Sequence, residues 1–239
     1  MLIAFTLSKQ LVTIRPRAIM KRKPNSSTTP PRKRDGQASM QALLAAAIEV
    51  FAECGAKGAT VDAICTRAGL SKRMLYHHFG SKDQLYAQAL AHVYDQFLSV
   101  EISLASMLLP VEELIATLVR QYYTFLHKHP SFVRLISYEN LDYGRTARRL
   151  KLGGQKAQIF TALRLALEKG QAEKRFRRSV DVAELLVSIF ALCFFYFSNA
   201  HTMSQFVHEV SNSRAALDRR VAHVTDLVLH GIVDHDNAR

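Results

Sequence analysis

The chain has 239 residues, of which 49% are hydrophobic and 22% are charged. This balance excludes a wholly disordered chain, and the absence of Trp with only ten Gly and six Pro favours helix. The net charge of +12 indicates a polyanionic partner, either a nucleic acid or a membrane surface.

The three cysteines, Cys54, Cys65 and Cys193, stand far apart, without CxxC or Cys/His ligand spacing. We expect buried thiols in a reducing, cytoplasmic compartment, with no disulfide framework, no metal site and no cofactor. The longest apolar run, over 185–198, has 14 residues. Because a helix needs about 20 residues to cross a bilayer, we expect a buried helix there, and no membrane partner.

Residues 1–36 hold much of the positive charge, with nine Lys or Arg against one Asp. The stretch RPRAIMKRKPNSSTTPPRKRDGQ adds Pro and Ser and lacks apolar periodicity, which predicts an unfolded arm. The start, MLIAFTLSKQ, lacks a basic region before its apolar run, so we do not expect a signal peptide. Two interpretations of the arm remain open, a DNA contact and a solubilising tail.

Two helices are predicted next. The first follows Ser39, has apolar residues at helical spacing through LLAAAIEVF, and ends at Gly55. The second, VDAICTRA, is capped by Thr60 and stopped by Gly69 after about two turns. Its small residues allow another helix to approach closely.

The third predicted helix, KRMLYHHF, is capped by Ser71 and is equally short. Leu75 and Phe79 point inward and leave its basic and aromatic residues exposed. Ser81 caps a long fourth helix with apolar residues three or four apart. Two short helices joined by a Gly turn, the second capped and exposed, are typical of a helix-turn-helix.

In that motif the second helix lies in the major groove, with its N-terminal residues at the base edges. Arg73 can contact guanine bidentately and Met74 can touch a thymine methyl group, while Ser71 caps the helix that carries them. The side chains expected at phosphates, which fix the register, are Thr60, Lys72, Tyr76, His77 and Lys82. A solvated helix face is the competing interpretation, but the joint occurrence of caps and turn favours DNA binding.

The rest of the chain predicts further helices: Val111–Lys128, one opening at Pro130, one over about Arg145–Lys169 ending at Gly170, Asp181–Phe197, and about Ser213–His230 ending at Gly231. No strand alternation is visible, so the predicted fold class is all-α. We expect three segments: the arm (1–36), a three-helix helix-turn-helix DNA-binding domain (37–84) and a larger helical ligand-binding and dimerisation domain (85–239).

Residues 39–90, with LLAAAIEVFAECG and GATVDAICTRAGLSKRMLYHHFGSKDQLYAQAL, resemble the DNA-binding domain of the tetracycline-repressor (TetR-like) transcriptional regulators. The resemblance implies a nine- or ten-helix protein with a variable C-terminal domain, usually a repressor released by a small molecule. Family members often have Gly-Thr where this chain has Arg73-Met74, so the resemblance does not give the operator sequence.

Dimerisation is expected because a two-fold pair spaces two half-sites of a palindromic double-stranded operator by about 34 Å. The family usually pairs its last two long helices. In the last predicted helix, Leu217, Val221, Val224 and Val228 follow the 4-3-4 spacing of a helix-pair seam. The preceding helix is apolar nearly all round, as burial against both core and partner would require.

An unidentified small-molecule effector is the other expected partner. Aromatic and polar side chains of the second domain are candidates for its pocket: Tyr122, Phe125, Phe132, Tyr138, Asn140, Tyr143, Phe160, Phe194, Tyr196 and His201. Aromatic residues at helical spacing are equally typical of a plain core. The polar run SYENLDYGR indicates a loop beside a cavity.

Catalysis is not expected. Glu112 and Glu113 are adjacent on a helix and cannot face one substrate, and neither His127 nor His129 belongs to a nucleophile–base set. The alternative to a transcriptional regulator is a helical adaptor or ligand-binding protein without specific DNA recognition.

Overall fold

The computed structural model describes residues 33–150, 157–207, 210–211 and 213–234, and these ranges contain eleven α-helices. In chain order they are α1 (Lys33–Gly58), α2 (Val61–Ala68), α3 (Lys72–Phe79), α4 (Lys82–Ala105), α5 (Val111–Lys128), α6 (Pro130–Leu141), α7 (Arg145–Leu150), α8 (Ala157–Ala172), α9 (Val182–Ser198), α10 (Ala200–Met203) and α11 (Arg214–Ile232). The all-α prediction is confirmed; within the described ranges the β pairing amounts to one bridge, between Phe176 and Val233.

Three side-chain caps begin the helices of the N-terminal unit, as the sequence predicts. The hydroxyls of Thr60, Ser71 and Ser81 accept hydrogen bonds from backbone N–H groups two or three residues into α2, α3 and α4, at 3.1, 3.4 and 3.1 Å. Gly69 ends α2 at a φ of 65°, the left-handed conformation that glycine adopts without strain. The bounds of α2 and α3 therefore follow from local sequence.

The start of α1 differs from the prediction. The helix begins at Lys33, so Ser39 does not cap it, and residues 33–36 are helical although they fall in the predicted arm. Residues 1–32, the rest of that arm, lie outside the described residues. Gly55 does end the regular helix, at φ 69° and ψ 171°, before a last turn that reaches Gly58.

The predicted helix over Arg145–Lys169 is described as α7 and α8, with residues 151–156 outside the description, and α10 is a further short helix. The described helices therefore number more than the nine or ten implied by the resemblance. Two predicted stops are wrong, because α8 continues past Gly170 to Ala172 and α11 continues past Gly231 to Ile232. Neither glycine has a positive φ, so the helix is not interrupted.

The hydrophobic core is continuous from α1 to α11. In its centre the rings of Phe97 and Phe132 stack at 5.2 Å, and Phe125 and Phe190 contact Phe97 edge-on at 5.3 and 5.5 Å. The described core thus crosses the predicted boundary between residues 84 and 85, which remains a prediction about function and not a break in packing.

Helix α6 joins the C-terminal region to α1. The Ser131 hydroxyl donates to Glu49 at 2.8 Å, and Lys57 pairs with Asp142, just after α6, at 3.0 Å. The Tyr138 ring covers Gly55 so closely that a Cβ there would lie 3.0 Å from Cδ1 of Tyr138. Helix α6 is therefore in direct contact with the N-terminal unit.

Buried Glu139 organises the turn after α6. Its Oε2 accepts the Tyr86 hydroxyl of α4 at 2.9 Å, and its Oε1 accepts the backbone N–H groups of Thr146 and Ala147 at 2.6 and 2.8 Å. The carboxylate thus caps the start of α7 and ties it to α4. Burial and the adjacent Glu139 charge raise the pKa of Tyr86 well above its usual range.

The predicted seam on the last helix is an intramolecular contact. Leu217, Val221, Val224 and Val228 are all buried within the protomer, on the face of α11 that packs against α5 and α9. These residues cannot also form a dimer interface, so that part of the prediction is wrong. The exposed apolar residues of the last two long helices are instead Val187, Phe195 and Leu227, at 64, 52 and 50% exposure.

Candidate nucleic-acid interface

Helix α3 is anchored on one side and open on the other. Leu75 and Phe79 are buried against the N-terminal unit, beside Ile64 and Cys65 of α2. Since residues three or four apart share a helix face, Tyr76 and His77 between these anchors face outward, whereas His78 is half-buried. The local sequence therefore produces a short, capped helix with one exposed polar face.

The predicted DNA-contacting side chains occupy that face. Lys72, Arg73 and His77 are exposed, and Tyr76 is 50% exposed. Met74 is half-buried and packs against the core. Thr60 is exposed at the start of α2, where unpaired N–H groups are able to receive a phosphate. The arrangement presents cations at the leading end of α3, as major-groove recognition requires.

Two acidic residues that the sequence analysis did not consider affect this surface. Asp62 of α2 pairs with Lys72 at 2.6 Å, and the hydrogen bond to Asp62, together with its charge, raises the pKa of the Lys72 ammonium. Glu53 of α1 binds the Arg67 guanidinium with two hydrogen bonds of 2.7 and 2.9 Å, which fixes α2 on α1. The sequence alone does show Asp62, an acidic residue in the first turn of α2, which is the helix that precedes the basic helix α3.

Lys82 has a contact that its sequence position does not reveal. Its ammonium donates to the carbonyl oxygens of Ala56 and Ala59, at 2.9 and 3.0 Å. The side chain thus caps the end of α1 from the first residue of α4. One of its three N–H groups remains for a phosphate.

The predicted ligand-contacting residues do not meet in one place. Tyr122, Phe125 and Phe132 are core residues, and the Tyr122 hydroxyl donates to the buried carboxylate of Glu101. Burial and the Glu101 charge raise the pKa of Tyr122 well above its usual value. The centre of the second domain is therefore filled by aromatic rings.

The remaining candidates are spread over several surfaces. Phe194 stacks on Phe190 at 5.4 Å, Phe160 is 36% exposed, and Tyr143 is 80% exposed in the turn after α6. The Asn140 amide donates to its own helix, at the carbonyl of Ile136. Tyr138 and His201 share a groove of about 440 Å³, whereas Tyr196 lines a separate cavity of about 330 Å³.

The residues considered for metal binding, catalysis and membrane insertion lie as follows. No group of three His, Cys, Asp or Glu there is placed to hold a metal ion. Glu112 is engaged by Arg175, and His129 stacks on Phe125 at 4.3 Å. One helix, over Gly36–Gly58, is long and apolar enough for a bilayer, but it is α1, which packs against α2, α4 and α6.

Family models match both parts of the chain. Residues 43–89 match the model described as bacterial regulatory proteins, tetR family, and residues 110–228 match the tetracyclin repressor-like C-terminal domain. The HTH-type transcriptional repressor NicS of Pseudomonas putida is 33% identical over 192 residues, which are 80% of this chain and 90% of NicS.

Solved structures show the same fold. A TetR family transcription regulator from Marinobacter aquaeolei aligns with a TM-score of 0.62 at 16% identity, over 85% of this chain and all of that one. The transcriptional regulator SCO4942 from Streptomyces coelicolor aligns with a TM-score of 0.60 at 24% identity, over 81% of this chain and 98% of that one.

Proposed function

Because this chain belongs to the TetR family of DNA-binding transcriptional regulators, we propose that it is a dimeric repressor that a small molecule releases from a palindromic operator. The main observation that supports DNA binding at α3 is that the first turn of this helix is exposed, capped and cationic. The similarity to NicS supports repression, since NicS is itself a transcriptional repressor.

Arg73 and Met74 are proposed to choose the operator sequence, and Lys72, Tyr76 and His77 to contact phosphates. Arg73 supports this division because it is exposed and its guanidinium can bind guanine O6 and N7 together. Thr60 and the capped start of α3 at Ser71 supply further phosphate contacts through backbone N–H groups. Lys82 contributes to phosphate binding and, through its two carbonyl contacts, to holding α1 and α4 together.

Dimerisation is proposed through the exposed faces of α9 and α11. Val187 lies on the side of α9 opposite its buried residues, and Leu227 lies on the exposed side of α11. Exposed apolar residues that recur on neighbouring helices are typical of an interface. The proposed interface uses the two helices that the sequence predicted, α9 and α11, but different residues on them.

Effector release is proposed to act through α6, which contacts α1 at Ser131, Tyr138 and Asp142. A ligand changes operator affinity only if it binds the two conformations unequally, and such coupling is typically about 1–3 kcal/mol. The contacts of α6 with α1 join a helix of the second domain to the first helix of the N-terminal unit, beside the direct connection through α4.

The direct test is fluorescence anisotropy with DNA from the region beside the gene, at two salt concentrations. A dimeric repressor should bind one sequence selectively and lose affinity steeply as salt rises, because phosphate contacts release counterions. Equal affinity for this DNA and for random DNA would contradict the proposal and favour the alternative, a helical adaptor without specific DNA recognition. Removal of residues 1–32 tests the role of the arm in DNA binding without shortening α1. If the salt dependence of the DNA affinity is unchanged, the arm is a solubilising tail.

Two substitutions separate specificity from positioning. Arg73→Ala should cost about 1–3 kcal/mol at one base pair and relax the preference there. Lys82→Ala should weaken all sequences alike and also lower the free energy of unfolding, because the carbonyls of Ala56 and Ala59 lose their donor. Anisotropy with single-base operator variants and urea unfolding provide the measurements. A uniform loss for Arg73→Ala would contradict the assignment.

A further inference from the structure

The cavity of about 330 Å³ between α9 and α11 combines apolar walls with cations. Phe195 and Tyr196 of α9, with Met203 at the end of α10 and Val210 beyond it, form apolar walls. Two consecutive arginines of α11, Arg219 and Arg220, complete the lining. Small-molecule pockets usually measure about 300–1,000 Å³, so this cavity suits a small ligand.

Arg220 is held in a fixed orientation. Its Nε donates to the Tyr123 hydroxyl at 3.3 Å, and its Cζ lies 5.9 Å from the centre of the Tyr196 ring. The Tyr123 hydroxyl in turn donates to the carbonyl of Leu192 at 3.2 Å. Because Nε and the ring face are used by the protein, the two terminal nitrogens are available to a ligand.

The charge of this pair is not balanced by the described part of the chain. No described carboxylate lies within 4.0 Å of Arg219 or Arg220, whereas Arg67, Arg164 and Arg214 each have one. Arg220 is half-buried, and removing a cation from water without an anion is costly. A guanidinium in such a place is suited to a carboxylate, which it binds with two parallel hydrogen bonds.

We propose that this cavity binds a small apolar monocarboxylate, with its carboxylate on Arg220 and Arg219 and its apolar part against Phe195, Tyr196 and Met203. The volume limits the ligand to about one ring or a short chain. His223, at the same rim, adds a further hydrogen-bond donor. That the bound acid also releases DNA rests on the proposed function, whereas binding itself does not.

The test is isothermal titration calorimetry of the full chain with benzoate, phenylacetate and octanoate, each compared with its primary amide. At least one acid should bind saturably, and its amide should bind about tenfold more weakly or worse, since the amide lacks the charge that Arg220 recognises. Absence of binding by all three acids, or equal binding of acid and amide, overturns the proposal.

Matched variants locate the site. Arg220→Gln keeps an N–H donor for Tyr123 and should weaken the acid about tenfold or more. Arg219→Gln, on the more exposed neighbour, should weaken it less. Arg164→Gln removes an exposed arginine of α8 that pairs with Glu168 and should leave binding unchanged. Circular dichroism establishes that each variant is folded.

Two further outcomes are decisive. If Arg220→Gln is folded and binds the acid as well as the parent, the ligand lies elsewhere and the proposal fails. If no acid binds and Arg220→Gln turns the protein monomeric, a carboxylate of a second copy is the partner of Arg220, which also overturns it. Operator binding is measured in parallel; acid binding without DNA release supports the site and contradicts only induction through it.

Discussion

Asp62 brings a negative charge to a surface that must approach DNA. It pairs with Lys72 at 2.6 Å while both side chains remain more than half exposed, so the pair is readily exchanged for a phosphate contact. The exchange opposes binding equally at every sequence, because the phosphate backbone carries no base information. We therefore expect Asp62 to weaken the binding of every DNA sequence alike, without contributing to operator choice.

Asp62→Asn should raise the affinity for operator and for random DNA by a similar factor of about two to five, since exposed ion pairs are weak. Anisotropy with both DNAs at one salt concentration measures it. Asp226→Asn, which removes an exposed carboxylate beside His230 on α11, is the control and should change neither affinity. A gain confined to the operator would contradict a purely electrostatic role for Asp62.

The three thiols should differ in reactivity. Cys54 is exposed, whereas burial raises the pKa of Cys65 and raises that of Cys193 to about 12. A raised pKa leaves less thiolate at pH 8, and the thiolate is the reactive form. One thiol per chain should therefore react quickly with a disulfide reagent in the native state, and three after unfolding. Cys54→Ser should abolish the fast phase; rapid labelling at Cys193 would disprove this ordering.

At the scale of helices, local signals predicted some boundaries and tertiary contacts decided others. The bounds of α2 and α3 agree with the sequence because caps and glycine stops act within a few residues. Those of α5 agree because Pro110 precedes the helix and Pro130 opens the next one. Gly170 was predicted to end a helix, but its role is close packing. A Cβ there would lie 2.2 Å from Cδ2 of Phe176. That contact joins residues in different elements, which no local pattern reveals.

Gly55 offers a test of the contact of α1 with α6. Its φ of 69° and ψ of 171° are nearly restricted to glycine, and a Cβ would meet the Tyr138 ring at 3.0 Å. Gly55→Ala should therefore lower the free energy of unfolding by about 1–3 kcal/mol. Urea denaturation followed by circular dichroism measures the change.

Gly36→Ala is the matched control for Gly55→Ala. Gly36 lies in the same helix, without a positive φ and with no heavy atom within 4 Å of an added Cβ. Alanine is favoured over glycine in a helix by about 0.5–1 kcal/mol, so stability should stay constant or rise. Equal losses in the two variants would mean that the Tyr138 contact and the backbone conformation are not the cause.

For the whole molecule, the sequence predicted the helical fold and the exposed face of α3 better than interfaces and cavities. A 4-3-4 apolar pattern is buried equally well by the same chain or by a partner, which is why Leu217 and Val224 were assigned to the wrong contact. The sequence pattern of aromatic residues such as Tyr122 and Phe125 likewise fits either a ligand pocket or a hydrophobic core. The sequence does not indicate a functional role for Arg220, which appears there only as a charged residue between Leu217 and Val221.

The proposed dimer interface on α9 and α11 can be tested by placing a charge in it. Val187→Asp or Leu227→Asp should shift the protein towards monomer and weaken operator binding, because a charge buried in an interface is costly. Sedimentation velocity and anisotropy measure the two effects. Leu165→Asp, on an equally exposed apolar residue of α8, should leave the dimer intact. A stable dimer in all three variants would exclude this interface.

The bond from Lys82 to the end of α1 has a mechanical consequence. Since the first residue of α4 is fastened to the N-terminal unit, α3 must swing with α4. A helix of 24 residues is about 36 Å long, so a rotation of about 5° about its far end carries α3 through about 3 Å. Adjacent base pairs are about 3.4 Å apart. In the proposed dimer, a rotation of a few degrees at the distal end of α4 would therefore displace one α3 relative to the other by about one base-pair step.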